Sequence, residues 1–116
     1  MTKREVILTV LRYCKSRFST ISKKASEISK SNIFVYKSHL NDILNECEAF
    51  IKIYEEYFTD NRPCYDNLLK AVKNYRNTIE KLGVNGNPLS TCVRLISQQG
   101  ESLQLYVELL KDDLKL

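Results

Sequence analysis

The sequence predicts an all-α fold, an antiparallel up-down four-helix bundle that forms a single domain over residues 1–116. Apolar residues recur every three or four positions in four separate stretches, which is the spacing that places side chains on one face of a helix. The chain also has only three glycines and two prolines, too few for the frequent turns of an all-β protein. We predict long, coiled-coil-like helices at residues 2–30, 33–58, 63–82 and 88–114, joined by short turns.

The first helix is predicted from an unbroken apolar series with alternating spacings of four and three residues. Thr2 and Glu5 have the spacing of a capping box at its start. Ser29, Ser31 and Asn32 compete for backbone hydrogen bonds, so a turn is expected there. The mean period of 3.5 residues favours left-handed helix crossings of about 20°. The series consists of Ile7, Leu11, Cys14, Phe18, Ile21, Ala25 and Ile28.

Similar series predict the second and third helices. Four apolar residues, Ile33 to Tyr36, lie at the turn before the second helix, and we expect them to plug the end of the bundle, with a docking knob as the alternative. Pro63 suits the first turn of the third helix because its missing amide would be unpaired there. Gly83 is expected to end that helix in a left-handed conformation. The two series are Tyr36, Leu40, Ile43, Cys47, Phe50, Tyr54, Tyr57 and Tyr65, Leu68, Val72, Tyr75, Ile79, Leu82.

The fourth helix is predicted with Asn87 as its cap and Pro88 in its first turn. Gly100 costs on the order of 1 kcal/mol relative to alanine inside a helix, yet we predict one imperfect helix rather than two. An alternative architecture is an elongated three-helix core whose fourth helix is exchanged between chains. The apolar series is Leu89, Cys92, Ile96, Gln99, Leu103, Tyr106 and Leu110.

Counting back from the turns predicts a central layer that contains Cys14, Cys47, Val72 and Gln99. We expect the Gln99 amide to bond a backbone carbonyl or water, because buried amides are seldom unpaired; a polar pin that sets helix register is the alternative. The four cysteines form no CxxC or Cys/His pair, so we interpret them as reduced structural residues.

No enzymatic, metal or cofactor site is predicted. The single histidine, His39, is followed one turn later by Asp42 and Ile43, where histidine phosphotransfer domains have a lysine and a small residue. No ExxH sequence is present for a di-iron bundle. The charged start and the absence of a run of about 18 apolar residues predict an intracellular, cytoplasmic protein without a transmembrane segment.

Surplus apolar side chains at one end of the predicted bundle suggest a function in protein–protein interaction. Leucines near both termini lie off the core series, and an apolar surface without an internal partner is typical of a homodimer seam or a partner-binding face. A wider core is the alternative. The hypothesis is an adaptor, assembly subunit or inhibitor that binds through Leu8, Leu105, Leu109 and Leu116.

Uneven charge suggests a second hypothesis. Residues 1–31 carry eight Lys/Arg and two acids, whereas residues 32–60 carry two Lys/Arg and six acids. One flank of the first helix could bind an anionic surface, either membrane or nucleic acid. It could instead pack beside the acids of the second helix, Asp42, Glu46, Glu48, Glu55 and Glu56. The basic flank consists of Arg4, Arg12, Lys15, Lys23 and Lys30.

Overall fold

The all-α prediction is confirmed by a computed structural model, which describes residues 1–116 and contains no strand. Four long helices and one single-turn helix form a bundle of 46 × 24 × 18 Å. None of the helices combines the length and apolar content that a membrane span requires. The helices are α1 (Lys3–Lys24), α2 (Ile33–Ile51), α3 (Tyr54–Tyr57), α4 (Pro63–Glu80) and α5 (Leu89–Asp113).

Helix α1 begins as predicted and ends earlier than predicted. The Thr2 hydroxyl accepts a hydrogen bond from the Glu5 amide at 3.1 Å. All seven residues of the apolar series are buried, but the last two lie beyond α1, in a 3₁₀ turn and the segment after it. The reason is Asn32, whose side chain accepts from the Ser29 amide at 2.7 Å and donates to the Glu27 carbonyl at 3.0 Å. These bonds stabilise a turn in place of the last helical residues.

Helix α2 ends at Ile51, not near residue 58. Three bonds between residues three apart follow, of 3.1, 3.0 and 3.0 Å, and they tighten the chain before α3. The tightening brings Tyr54 into the core, where its ring stacks on Tyr65 with 4.3 Å between centroids. Phe50, predicted to be in the core, is more than one-third exposed, and Ile51 is buried in its place. The buried stripe follows the 3.6-residue period of a straight helix here rather than 3.5.

Helices α4 and α5 are joined by the predicted glycine turn. Gly83 has a φ of +77°, as expected for a left-handed stop. The Lys37 ammonium group donates to the Glu80 and Leu82 carbonyls at 2.7 and 3.1 Å, which satisfies the end of α4. The predicted Asn87 cap is wrong: Pro88 holds the cap position, and no side chain bonds the first amides of α5.

The bundle has the antiparallel up-down order, with α1 and α4 each packed against α5 and against α2. Helix α5 has the most extensive contacts and packs against α1 and α4. It also runs unbroken through Gly100. A methyl group at Gly100 would lie 2.8 Å from the Ser22 Cβ and 2.8 Å from the Tyr75 hydroxyl, so the glycine permits close packing of α5 on α1 and α4.

Three of the four residues predicted for the central layer, Cys14, Cys47 and Val72, are fully buried, and Gln99 is not. The Cys14 thiol points at the Cys47 carbonyl at 3.7 Å, and both residues are fully buried. Gln99 is only half-buried, and its side-chain oxygen finds no protein donor. Gly100 takes the inward position because the buried stripe of α5 drifts by one residue from the predicted series. It consists of Cys92, Ile96, Gly100, Leu103, Val107, Leu110 and Leu114.

Candidate functional surfaces

The first turn of α1 and the last turn of α5 meet at one end of the bundle, as predicted. The Arg4 guanidinium donates to the carbonyls of Leu114, at 2.9 Å, and Lys115. Lys115 has a φ of +58°. The amides of Lys115 and Leu116 bond back to the Asp112 and Lys111 carbonyls, each at 3.0 Å, in the pattern of a Schellman cap.

Two of the four predicted interface residues are partly buried. Leu116 packs against the core cluster, and Leu8 is half-buried. Arg62 of the loop before α4 bonds the Asp113 carboxylate at 2.9 Å, so this loop also reaches the end of α5. This loop therefore lies at the same end of the bundle as the start of α1 and the end of α5.

Leu105 and Leu109 remain exposed on α5, at 66% and 54% of their full surface. They are four residues apart on one continuous helix, so their side chains are neighbours on the same face. A single exposed leucine is ordinary on a protein surface. Two in adjacent turns, on a helix packed against both α1 and α4, form a small apolar ridge with no partner in the chain. We call them the leucine pair.

Polar residues border the leucine pair. Glu101 and Asp112 are exposed on α5, one turn before and just after the pair. Beside Leu105 lies a shallow depression of about 380 Å³. It is lined by Lys15, Glu101, Gln104, Leu105 and Glu108. An apolar centre with a polar border is the usual composition of a protein interface.

The predicted basic flank of α1 is divided by the structure. Arg4 caps the end of α5, as described above. Lys30 lies in the turn after α1, exposed to solvent. Only Arg12, Lys15 and Lys23 come together, and they face α5 rather than the acids of α2.

These three residues line a groove of about 460 Å³ between α1 and α5. Lys111, which was not predicted from the sequence, joins them from α5. The antiparallel pairing of α1 with α5 could have indicated it, since residues near 12 on α1 lie opposite residues near 111 on α5. We call this feature the basic groove. Its lining is Arg12, Lys15, Ser16, Ser19, Thr20, Lys23, Gln104, Glu108 and Lys111.

Glu108 is the one acid in the basic groove. Its carboxylate lies 2.8 Å from the Lys15 ammonium and 3.2 Å from that of Lys111. Hydrogen bonds from these two lysines lower the pKa of Glu108 from its ordinary value. Arg12 and Lys23 make no side-chain hydrogen bond or ion pair. The groove therefore holds four cations against one carboxylate, with two cations free of any partner.

Two of the five acids of the second predicted helix, Glu46 and Glu48, pair with other cations. Glu46 accepts from the Tyr13 hydroxyl and lies 3.9 Å from the Arg17 guanidinium. Glu48 bonds Arg76 of α4, which is the main cause of its lowered pKa. The expected packing of the basic flank beside these acids is therefore wrong: the only ion pair of the flank, that of Lys15, is formed with α5.

The opposite end of the bundle carries a second apolar surface. Phe34 and Val35 are each 71% exposed, and Val84 in the glycine turn is 48% exposed. Ile33 is half-buried against the core cluster. A methyl group at Gly83 would lie 3.1 Å from the Phe34 ring, which places this ring on the turn between α4 and α5. The apolar run thus covers the bundle end only in part, and its middle residues face solvent.

The chemically reactive side chains are dispersed. His39 is exposed, with one ring nitrogen 3.4 Å from the Lys24 ammonium. No group of three or more His, Cys, Asp or Glu side chains has the geometry to hold a metal ion. The four cysteines are free, and only Cys64 is partly accessible. Comparisons with protein-family models, with curated protein sequences and with solved structures gave no match.

Proposed function

We propose that this protein is a non-enzymatic interaction module, an adaptor, assembly subunit or inhibitor, that binds another protein molecule through the leucine pair of α5. The observation that carries the proposal is the exposure of Leu105 and Leu109 in adjacent turns of a helix whose other faces are packed. Burial of apolar surface contributes roughly 25 cal/mol per Å², so two leucines can act as the centre of an interface.

The chemistry of the leucine pair indicates what the partner presents. A ridge formed by side chains four residues apart fits the groove between similar rows on another helix. The exposed acids Glu101 and Asp112 at its border favour a partner helix with lysine or arginine beside its apolar row. A second copy of this chain is the first partner to test. The proposal also assigns a reducing, cytoplasmic setting, which the four free cysteines support.

Light scattering on the wild-type protein and on Leu109→Glu tests this proposal. A glutamate at this position places a charge in the centre of the interface, so the oligomer mass should fall while helicity by circular dichroism is retained. Asn77→Glu is the matched control, because Asn77 is exposed on α4, away from the leucine pair, and receives the same charge. The control should keep the wild-type mass.

If the wild-type protein is monomeric, a photo-crosslinking residue at position 105 identifies the partner. The crosslinked product should disappear when Leu109→Glu is added and should not form when the probe is placed at position 77 on α4. A monomer that gives no crosslink sensitive to Leu109→Glu would contradict the proposal. So would an oligomer whose mass is the same in the variant.

A further inference from the structure

We infer that the basic groove between α1 and α5 binds a row of phosphate groups, such as those of a nucleic-acid backbone or of a linear polyphosphate. This inference does not depend on the leucine pair. It begins from the lining of the groove, which contains four cations, three hydroxyl groups and an amide, and no apolar side chain. A ligand there is held by charge and hydrogen bonds alone.

The length of the groove selects an extended ligand. Arg12 and Lys23 are eleven residues apart on α1, which is about 16 Å at 1.5 Å per residue. One strand of a nucleic-acid duplex carries a phosphate about every 3.4 Å along its axis, so this distance corresponds to roughly five phosphates. A single phosphate would contact only one of the two partner-free cations.

Hydrogen-bonding groups favour phosphate over other anions. Ser16 and Ser19 lie between the cations and can donate to phosphate oxygens, as hydroxyl groups commonly do in nucleic-acid complexes. The Thr20 hydroxyl already donates to the Ser16 carbonyl at 3.1 Å. The Arg12 guanidinium matches the geometry of two phosphate oxygens. Because no aromatic or apolar side chain lines the groove, bases and the side chains of an acidic peptide would find no surface to pack on.

Glu108 acts within the groove as a competitor for the ligand. Its carboxylate occupies Lys15 and Lys111, so an incoming phosphate must share these lysines with it or displace it. Removal of this one negative charge should therefore strengthen binding. A purely structural role for the two ion pairs predicts no such gain.

The test uses fluorescence anisotropy with a short labelled DNA duplex and, separately, competition by medium-chain inorganic polyphosphate. We expect binding that weakens as salt is raised from about 50 to 200 mM, with a slope of log affinity against log salt near −3 to −4 for four cations on duplex DNA. Polyphosphate that displaces the duplex identifies phosphate itself as the ligand. Binding of the duplex without such displacement identifies the nucleic-acid backbone as the source.

Two charge variants make the test specific. Arg12→Gln with Lys23→Gln should reduce the magnitude of the slope by about two, and the fold should be unaffected because neither side chain has a partner. Lys73→Gln with Arg94→Gln is the matched control, since both side chains are exposed and unpaired outside the groove. Glu108→Gln should tighten binding about two- to fivefold, as expected for the loss of a surface competitor.

Three results would overturn the inference. The first is no binding of either ligand at about 50 mM salt. The second is an equal loss of affinity in the groove variant and in its control, which would show a response to net charge alone. The third is binding restricted to anionic lipid vesicles, because a flat membrane does not enter a groove between two helices.

Discussion

Replacement of Gly100 by alanine should destabilise the bundle, although glycine is usually unfavourable inside a helix. Gly100 is buried in α5, where this helix meets both α1 and α4. The added methyl group would lie 2.8 Å from the Ser22 Cβ, 2.8 Å from the Tyr75 hydroxyl and 3.3 Å from the Phe18 carbonyl oxygen. Two of these atoms belong to α1, so the two helices must separate or Ser22 and Tyr75 must move.

The magnitude follows from three contributions. Alanine gains about 1 kcal/mol of helix propensity over glycine. Overpacking of a filled core costs about 1–3 kcal/mol. Displacement of the buried Tyr75 hydroxyl weakens its 2.7 Å bond to the Ile96 carbonyl, and leaving this hydroxyl without a partner costs about 1–3 kcal/mol more. The free energy of unfolding should therefore fall by about 1–5 kcal/mol.

Urea unfolding followed by circular dichroism measures this change. The loss of unfolding free energy caused by Gly100→Ala should also be about 1 kcal/mol smaller in a Tyr75→Phe background, because the hydroxyl that meets the methyl group is gone. Ser102→Ala on the exposed face of α5 is the control and should change stability by less than about 0.5 kcal/mol. A stabilised Gly100→Ala variant, or equal costs in the two backgrounds, would refute close packing at this position.

Three further predictions concern the cap of α5, an ion pair and the thiols. Arg4→Ala should lower the free energy of unfolding, measured in urea, by about 1 kcal/mol through loss of the cap. Arg12→Ala should not lower it, because the Arg12 side chain has no partner. Equal effects of the two substitutions would contradict the capping role. The pKa of Glu48 is lowered from about 4.5, so its stabilisation is complete above that value and is lost as pH falls through the lowered pKa. Below about pH 4.5, the free energy of unfolding of Glu48→Gln should therefore decrease less steeply with falling pH than that of the wild-type protein. Parallel curves of stability against pH for the two proteins would contradict this reasoning. Ellman's reagent should label Cys64 first and the three buried thiols only as the chain unfolds; early labelling of two or more thiols would show a looser core.

Much of the fold could be predicted because the helix stripes depend on local spacing. The series in α1 and α4 were predicted completely, and every member is buried. The errors arise where the small difference between a 3.5-residue and a 3.6-residue period accumulates along a helix. They also arise where a side chain takes the place of a backbone hydrogen bond. In α5 the stripe drifts from Gln99 to Gly100, and at the end of α1 the side chain of Asn32 forms the turn that ends the helix early.

The surfaces were less predictable because exposure depends on distant contacts. Leu105 and Leu109 could be recognised as off-stripe residues, and both are exposed. The same reasoning predicted that Leu116 is an interface residue. Its position is instead set by a Schellman cap that involves the last backbone amides. The basic flank was recognised from charge and from helical spacing within the first helix alone. Only the pairing of α1 with α5 shows which cations share a groove and that Glu108 lies among them.

The leucine pair and the basic groove are adjacent but physically separable. Lys15, Gln104 and Glu108 line both the groove and the depression beside Leu105. Contacts between apolar surfaces respond weakly to moderate salt, whereas release of counterions from phosphates gives a steep response. A protein partner centred on the leucines should therefore keep most of its affinity in Arg12→Gln/Lys23→Gln and lose it in Leu109→Glu. A phosphate ligand should show the opposite sensitivity, so the two variants measured at two salt concentrations assign binding to one surface or the other.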